Sequence, residues 1–444
     1  MSVPLDRLYN FLSNICNRND LIIYVFFPHG SRKLEDIRIL QDIQNKDWIA
    51  KDWLARMTVP SLIFHDQEPL HYNLYTKEKI KDYVDTHHET VNCKSQNEKN
   101  LIASMHLRAC ITRPLSVYDQ VLLCHSEQHS KDLELYQRNG FIGVYYWSHA
   151  LIARDWFRFA KLDPMLQPNF DEIVHDFLIY NRAWSGTREY RLTLAEMLAN
   201  NNLISCCNTS FSEFDQQSHY TKHMFANSDL GINRNDLHKI YKANTHDSSS
   251  SADYNSQDYG SSAIEVVLET MFDDSRHHLT EKILRPIACG RPFMLASTAG
   301  SLQYLKQYGF GTFHGLIDES YDLVTDPRMR LTAIVQEMKR IHNLDRKTKK
   351  SLWTELYKIA EHNKKLFFSV DWQNNIIKEF KQNFDSAMSQ MTATGKYQKE
   401  MERLALSDPI IAHNRSTDSA VPGSPTMECR KKLAQWLKAK NSLT

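Results

Sequence analysis

The chain has 444 residues, 42% of them hydrophobic and 11% aromatic, which is enough for two domains of ordinary size and a tail. Its 54 basic and 53 acidic side chains leave a formal net charge of +1, which excludes a global field that drives it onto DNA or a membrane. No apolar run approaches the roughly 18 residues of a membrane span, and Met1-Ser2-Val3-Pro4-Leu5-Asp6-Arg7 lacks the basic-then-apolar order of a secretion signal.

Residues 1–16 read as a helix. Leu21-Ile22-Ile23-Tyr24-Val25-Phe26-Phe27 is a continuous apolar run that reads as a buried strand, and Pro28-His29-Gly30 ends it. A polar helix is predicted over 32–44. Pro60-Ser61-Leu62-Ile63-Phe64 is a second strand, closing on His65-Asp66-Gln67-Glu68-Pro69. Val121-Leu122-Leu123-Cys124-His125-Ser126-Glu127 is a third, a helix is predicted over 127–139, and Phe141-Ile142-Gly143-Val144-Tyr145-Tyr146-Trp147 is a fourth strand. This alternation indicates a doubly wound α/β domain whose strand exits collect His29, Asp66, Glu68, His125, Glu127 and His149. A helix and linker follow over 151–170.

A second α/β unit starts with the strand Asp176-Phe177-Leu178-Ile179-Tyr180. A helix over 188–200 and the strand Leu203-Ile204-Ser205-Cys206-Cys207 continue it. Residues 245–262 are turn-rich and polar and read as a mobile loop or lid. The strand Ile264-Glu265-Val266-Val267-Leu268-Glu269-Thr270 lies beside it. Residues 280–312 read TEKILRPIACGRPFMLASTAGSLQYLKQYGFGT. Glu281 and Lys282 open a short helix that stops at Cys289-Gly290, and Pro292-Phe293-Met294-Leu295-Ala296 is a strand. The Ser297-Thr298-Ala299-Gly300-Ser301 loop then opens a helix ending at Gly309. Further helices are predicted at 328–343, 346–366 and 371–393. Residues 414–427 read as a flexible linker. A basic helix over 427–440 carries Arg430, Lys431, Lys432, Lys438 and Lys440, a handle for a weak, salt-sensitive polyanion contact.

The eight cysteines contain no CxxC pair, and several sit in apolar runs as reduced thiols do, so a cytoplasmic setting is the expectation. The 20 histidines lack metal-ligand spacing, and no metal is expected. The chemistry concentrates in cations beside strand exits. Arg182 follows a strand, Arg188 and Arg191 open the next helix, and Lys282 opens another. Such groups, together with helix N-termini, neutralise a leaving diphosphate without a metal. Glu281 suits ribose hydroxyls, and Ser297, Thr298 and Gly300 offer hydroxyl and N–H donors nearby. The plainer readings are a solvated Glu281–Lys282 pair, helix-face charges at Arg188 and Arg191, and core aromatics at Trp147 and Trp156.

The frame TEK, small-residue helix, GRPF, strand, G-S/T-L-x-Y-L helix and GF-x-TF resembles the nucleotide-sugar half of glycosyltransferases with the GT-B fold. The likeness is to the fucosyltransferase-like branch, and more closely to uncharacterised proteins of tailed phages and bacteria. The segment YNRAWSGTREYRLTLAEML (180–198) resembles that family's Asn-Arg…Arg-x-x-Leu-Leu-x-x-Leu strand–helix, and YYWSHALIARDWFRFA (145–160) resembles its connection between halves. The resemblance covers residues 120–320. It implies an α/β fold of two Rossmann-like domains facing a cleft, with C-terminal helices. Residues 1–160 form the acceptor domain, 161–395 the nucleotide-sugar domain with closing helices, and 396–444 a flexible tail.

Carried over, Arg182 and Lys282 bind the diphosphate of a UDP- or GDP-sugar co-substrate, and Glu281 its ribose; Arg188 is a further candidate. Many retaining members carry Glu-x7-Glu, but Cys289 stands eight residues after Glu281, and this departure leans towards inversion. Inversion needs a general base, for which Asp66 and Glu68 come first and His29 and His149 follow. The acceptor is a hydroxymethylated base of phage DNA, in the host cytoplasm, or a surface glycan. Arg108, Arg113 and Lys131 are modest contributors to a DNA-binding rim. A non-catalytic nucleotide- or glycan-binding module of the same fold is the alternative, and a phosphorylase a third reading.

Overall fold

A computed structural model describes residues 22–26, 61–65, 69–70, 121–138, 141–181, 183–215, 218–231 and 253–393. The expected helices at 1–16 and 32–44, the linker at 414–427 and the basic helix at 427–440 lie outside them, as do Arg108 and Arg113. The chain is a mixed α/β protein with parallel sheets and C-terminal helices. It divides into two compact units, one of Ser2–Ser148 with Ile377–Thr444, the other of His149–Ile376.

The first unit holds a four-stranded parallel sheet in chain order: β1 (Ile22–Phe26), β2 (Ser61–His65), β3 (Val121–His125) and β4 (Phe141–Tyr145). Leu122, Leu123 and Cys124 are fully buried, as a strand covered on both faces requires. Helix α1 (Lys131–Arg138) connects β3 to β4 and starts later than the pattern predicts. His129 takes a left-handed φ of 59° before the helix, and Ser130 Oγ then accepts the Leu133 N–H at 3.3 Å. Acidic residues in the first turn and Arg138 in the last suit the helix dipole. At the exit of β3, His125 Nδ1 lies 3.0 Å from the Glu127 carbonyl. Burial pushes its imidazole down to about 4, against the opposing pull of that carbonyl. Glu127 accepts the Leu70 N–H.

The second unit holds another four-stranded parallel sheet. Its parallel strands are β5 (His175–Tyr180), β6 (Cys207–Ser210), β9 (Ser262–Leu268) and β10 (Phe293–Ala296), in the order β10-β9-β5-β6. A small hairpin, β7 (Phe214–Asp215) and β8 (Ser218–His219), lies apart from it. Helix α2 (Ser148–Trp156) leads into the unit, α3 (Tyr190–Asn200) joins β5 to β6, and α4 (Ser256–Ser261) precedes β9. Helix α5 (Glu281–Cys289) joins β9 to β10 and α6 (Ser301–Gln307) follows β10. Three long helices close the sequence: α7 (Pro327–His342), α8 (Arg346–Phe367) and α9 (Val370–Ala393). The boundary between the units falls inside α9. Beyond it, in the first unit, Phe380 packs edge-on against Tyr146 and the Asn383 side chain donates to the Tyr145 carbonyl at 3.0 Å.

Four local features differ from the sequence pattern. Strand β6 begins where the predicted strand ends. Leu203 N–H closes back on the Leu198 carbonyl at 2.9 Å after Asn202 turns left-handed (φ 57°), so the apolar residues finish the helix and only the more polar Cys207–Ser210 pair with β5. The end of the expected loop is ordered as α4, capped by Asn255, whose side chain accepts the Gln257 N–H, and anchored by the buried Tyr259. Helix α3 is buried nearly all round, so Arg191 is an interior side chain and not a helix-face charge. Trp147 is a core residue as read, whereas Trp156 is half-buried.

Helix α5 ends as its sequence indicates. Gly290 adopts φ 66°, and a Cβ there would lie 3.0 Å from the Lys364 side chain of α8, on which α5 packs. Cys124, Cys206, Cys207 and Cys289 are buried free thiols. Among the described residues no helix is long and apolar enough to cross a membrane.

Candidate functional site

In the second unit the chain runs from β5 outward to β6, then returns to the other side of β5 to make β9 and β10. The strand order therefore reverses between β5 and β9. In open parallel sheets ligands bind outside the carboxyl ends of the strands at such a switch point. The groups found there are Asn181 and Ala183 after β5, and Glu269 and Thr270 after β9.

Glu269 is fully buried and organises this edge. Its Oε1 accepts the Thr280 N–H at 3.0 Å and the Ile283 N–H at 3.3 Å. Its Oε2 accepts the Thr280 hydroxyl at 2.7 Å and the Thr270 N–H at 3.3 Å. The strand exit thus supplies the acceptors that the first turn of α5 lacks. Thr280 is the N-cap, its Oγ1 accepting the Lys282 N–H. Glu281 and Lys282 follow as the first two helical residues.

The Lys282 ammonium sits among three oxygens: Thr270 Oγ1 at 3.3 Å, Thr280 Oγ1 at 3.1 Å and Glu281 Oε1 at 2.9 Å. The other Glu281 oxygen lies 3.3 Å from His149 Nε2. His149 belongs to the first turn of α2, so the N-terminal turns of two helices meet through this pair. Burial by itself raises the carboxyl pKa of Glu281. The Lys282 ammonium and His149 outweigh it and hold the group well below the usual carboxylate range. The Glu281 carboxylate and the Lys282 ammonium thus lie together at the first turns of α5 and α2, where the Thr280, Lys282 and Ile283 N–H groups of the α5 start are already taken by Glu269 and Thr280.

Arg191 spans the switch point. Its guanidinium donates to Asn181 Oδ1 at 3.3 Å, Ala183 O at 2.6 Å, Leu268 O at 2.7 Å and Glu269 O at 3.0 Å. Its four terminal N–H donors are spent on the exits of both strands, while its Nε is buried without a hydrogen-bond partner among the described residues. Arg188, half-buried in the turn before α3, acts on Asp215. Burial pushes that carboxyl up. The Ser185 hydroxyl and N–H, the Trp184 N–H and the Arg188 charge together pull it below its ordinary value.

The loop after β10 closes on its own neighbours. Ser301 Oγ donates to Thr298 O at 2.6 Å and lies 3.1 Å from Ser297 Oγ, which in turn is 3.4 Å from Met271 O. Gly300, at φ 85°, donates its N–H to the Asp322 carbonyl at 2.7 Å, and the Asp322 carboxylate accepts the Leu302 N–H. Burial pushes the Asp322 carboxyl up to about 6, although the Leu302 N–H opposes this. Thr298 Oγ1 is buried without a hydrogen-bond partner among the described residues.

The structure therefore brings His149, Glu281 and Lys282 together and places Arg188 by Asp215. It sets Ser297, Thr298 and Gly300 at the exit of β10. His29, Asp66, Glu68 and Arg182 lie outside the described residues. Lys131 is exposed at the start of α1. Cys289, eight residues after Glu281, is a buried thiol whose pKa burial pushes up. Sequence reasoning missed Glu269, Thr270 and Thr280. The available signal was a carboxylate and a hydroxyl directly following a buried apolar strand, with a threonine one residue before the helix.

At the opposite, amino end of β5, Asp176, Cys206 and His342 bring possible ligand atoms within 4.8 Å of one another. Asp176 Oδ2 is already engaged by His342 Nδ1 and Lys349 Nζ, each at 2.7 Å. No protein-family model, no curated protein and no solved structure matches this chain.

Proposed function

We propose that the protein is a metal-independent glycosyltransferase of the GT-B type. It moves a sugar from a UDP- or GDP-sugar to a hydroxyl acceptor with inversion. The observation that carries this reading is the meeting of Lys282, Glu281 and His149 at the first turns of α5 and α2, beside the switch point of a parallel sheet. A departing diphosphate develops negative charge as the bond to the anomeric carbon breaks. The Lys282 ammonium offsets that charge without a metal ion. Glu281, held ionised, accepts hydrogen bonds from ribose hydroxyls. The presence of a parallel sheet in each of the two units supports the two-domain form of the fold.

The base that takes the acceptor proton is assigned to Asp66 or Glu68, in the segment after β2, or to His29, after β1. The acceptor is a hydroxymethylated DNA base or a surface glycan; the net charge of +1 gives DNA no long-range attraction. The C-terminal basic segment is a candidate for a weak polyanion contact.

A thermal-shift screen against sugar nucleotides tests donor binding, because a ligand of the folded state raises the melting temperature by mass action. Release of nucleoside diphosphate in the presence of an acceptor tests transfer. Asp66→Asn with Glu68→Gln is expected to abolish release and leave donor affinity intact. A wild-type chain that binds a donor but never turns it over is a binding module instead.

A further inference from the structure

We propose that His149 is a positioning residue. It retains Glu281 while Lys282 exchanges that carboxylate for the phosphates of an arriving nucleoside diphosphate, which links phosphate capture to ribose recognition. The inference rests on the reading under Proposed function and adds to it a residue and an order of events.

The argument starts from the protons of Lys282. An ammonium has three, and here three oxygens already take them. An incoming phosphate must displace one of these partners. Glu281 is the partner that leaves, because it is the one anion of the three and repels the newcomer, whereas the Thr270 and Thr280 hydroxyls are neutral.

Glu281 survives that exchange because its two oxygens have different holders. Oε1 faces Lys282 and Oε2 faces His149. Side-chain exposure decides which group moves: 0% for His149, 10% for Glu281 and 20% for Lys282. His149 is further confined by the ring of His278, edge-on at 5.7 Å. The lysine turns towards the ligand, the histidine stays, and the vacated Oε1 becomes an acceptor for a ribose hydroxyl.

Among the described residues, the charged and titratable groups facing Glu281 and its holder include His149 on α2, Lys282 on α5, Glu269 at the β9 exit through Thr280, and His278 in the loop before α5. Removing His149 takes away one of the two groups that keep Glu281 ionised, so its pKa rises. Ribose binding requires the ionised form, so the acid limb of nucleotide binding moves to higher pH.

The test is titration calorimetry on the full chain with UDP, GDP and inorganic pyrophosphate. The variants are His149→Phe, His149→Gln and Lys282→Gln, each checked for fold by circular dichroism. Lys282→Gln is expected to lose both nucleotide and pyrophosphate. His149→Phe is expected to weaken nucleoside diphosphate by about tenfold, to leave pyrophosphate within about twofold, and to shift the acid limb upward. His149→Gln keeps an amide donor near the Nε2 position and is expected to recover affinity to within about threefold. It also serves where the phenylalanine variant does not fold.

Equal loss of nucleotide and pyrophosphate in His149→Phe, or no loss of either, overturns the proposal. So does a glutamine variant no better than phenylalanine. A wild-type chain that binds none of the three ligands removes the underlying reading as well, and this separates the two failures.

Discussion

Replacing Glu269 by alanine tests the architecture of the site without reference to any ligand. The carboxylate is fully buried and accepts from two backbone N–H groups of the α5 start, from the Thr280 hydroxyl and from the Thr270 N–H. Truncation leaves the Thr280 and Ile283 N–H groups buried without acceptors, at about 1–3 kcal/mol each. Removing a buried charge returns part of its desolvation cost, and contacts in one network do not add. The expected net loss is about 3 kcal/mol, a large fraction of the ~5–15 kcal/mol that a domain commands. Urea unfolding followed by tryptophan fluorescence reads this as a midpoint about 1 M lower, for a slope near 3 kcal/mol per molar. Glu269→Gln keeps one acceptor oxygen and is expected to lose about half as much. Amide exchange at Thr280 and Ile283 is expected to accelerate in both variants. An alanine variant within about 0.3 M of wild type refutes the idea that this carboxylate holds the helix start.

Arg191→Lys is expected to cost about 2–3 kcal/mol in the same assay, because a single ammonium cannot span the four acceptors that the guanidinium reaches; an unchanged midpoint contradicts the clamp. Gly300→Ala is expected to cost about 1–2 kcal/mol, since φ is 85° and the new Cβ meets His277 Nε2 at 3.3 Å. Asp322 has a folded pKa raised from 3.8 to about 6. A raised carboxyl costs stability above that value and nothing below its unfolded value, so the penalty appears as pH climbs from 4 towards 6 and beyond. Asp322→Asn removes that penalty. Its gain over wild type is therefore expected to be about 1–2 kcal/mol larger at pH 8 than at pH 4, after discounting for partial solvent access. A pH-independent difference in melting temperature argues against it.

Much of the second unit was legible because its signals are local. The buried runs at β5, β9 and β10 have no polar alternation. The start and stop of α5 are written in Thr280-Glu281-Lys282 and Cys289-Gly290, and the three closing helices carry clear periodicity. The β6 start was hidden because Leu203-Ile204 are apolar for reasons of helix termination, and pattern reading cannot separate that from strand formation. Arg191 looked like a surface charge because arginines near helix starts usually are. Its burial depends on carbonyls of Ala183 and Leu268, residues far apart in the chain. The joining of His149 to Glu281 was beyond reach for the same reason. Each was a candidate for a different task, and their separation along the chain gives no hint of a 3.3 Å contact.

The guanidinium of Arg191 has a mechanical corollary. It fastens the backbone leaving β5 to the backbone leaving β9, and Glu269 carries the linkage on into the first turn of α5. These pieces share one yoke. A disturbance that lifts the 181–183 segment tugs on the seat of Lys282, and anything that presses on Lys282 is felt where the first of these strands emerges.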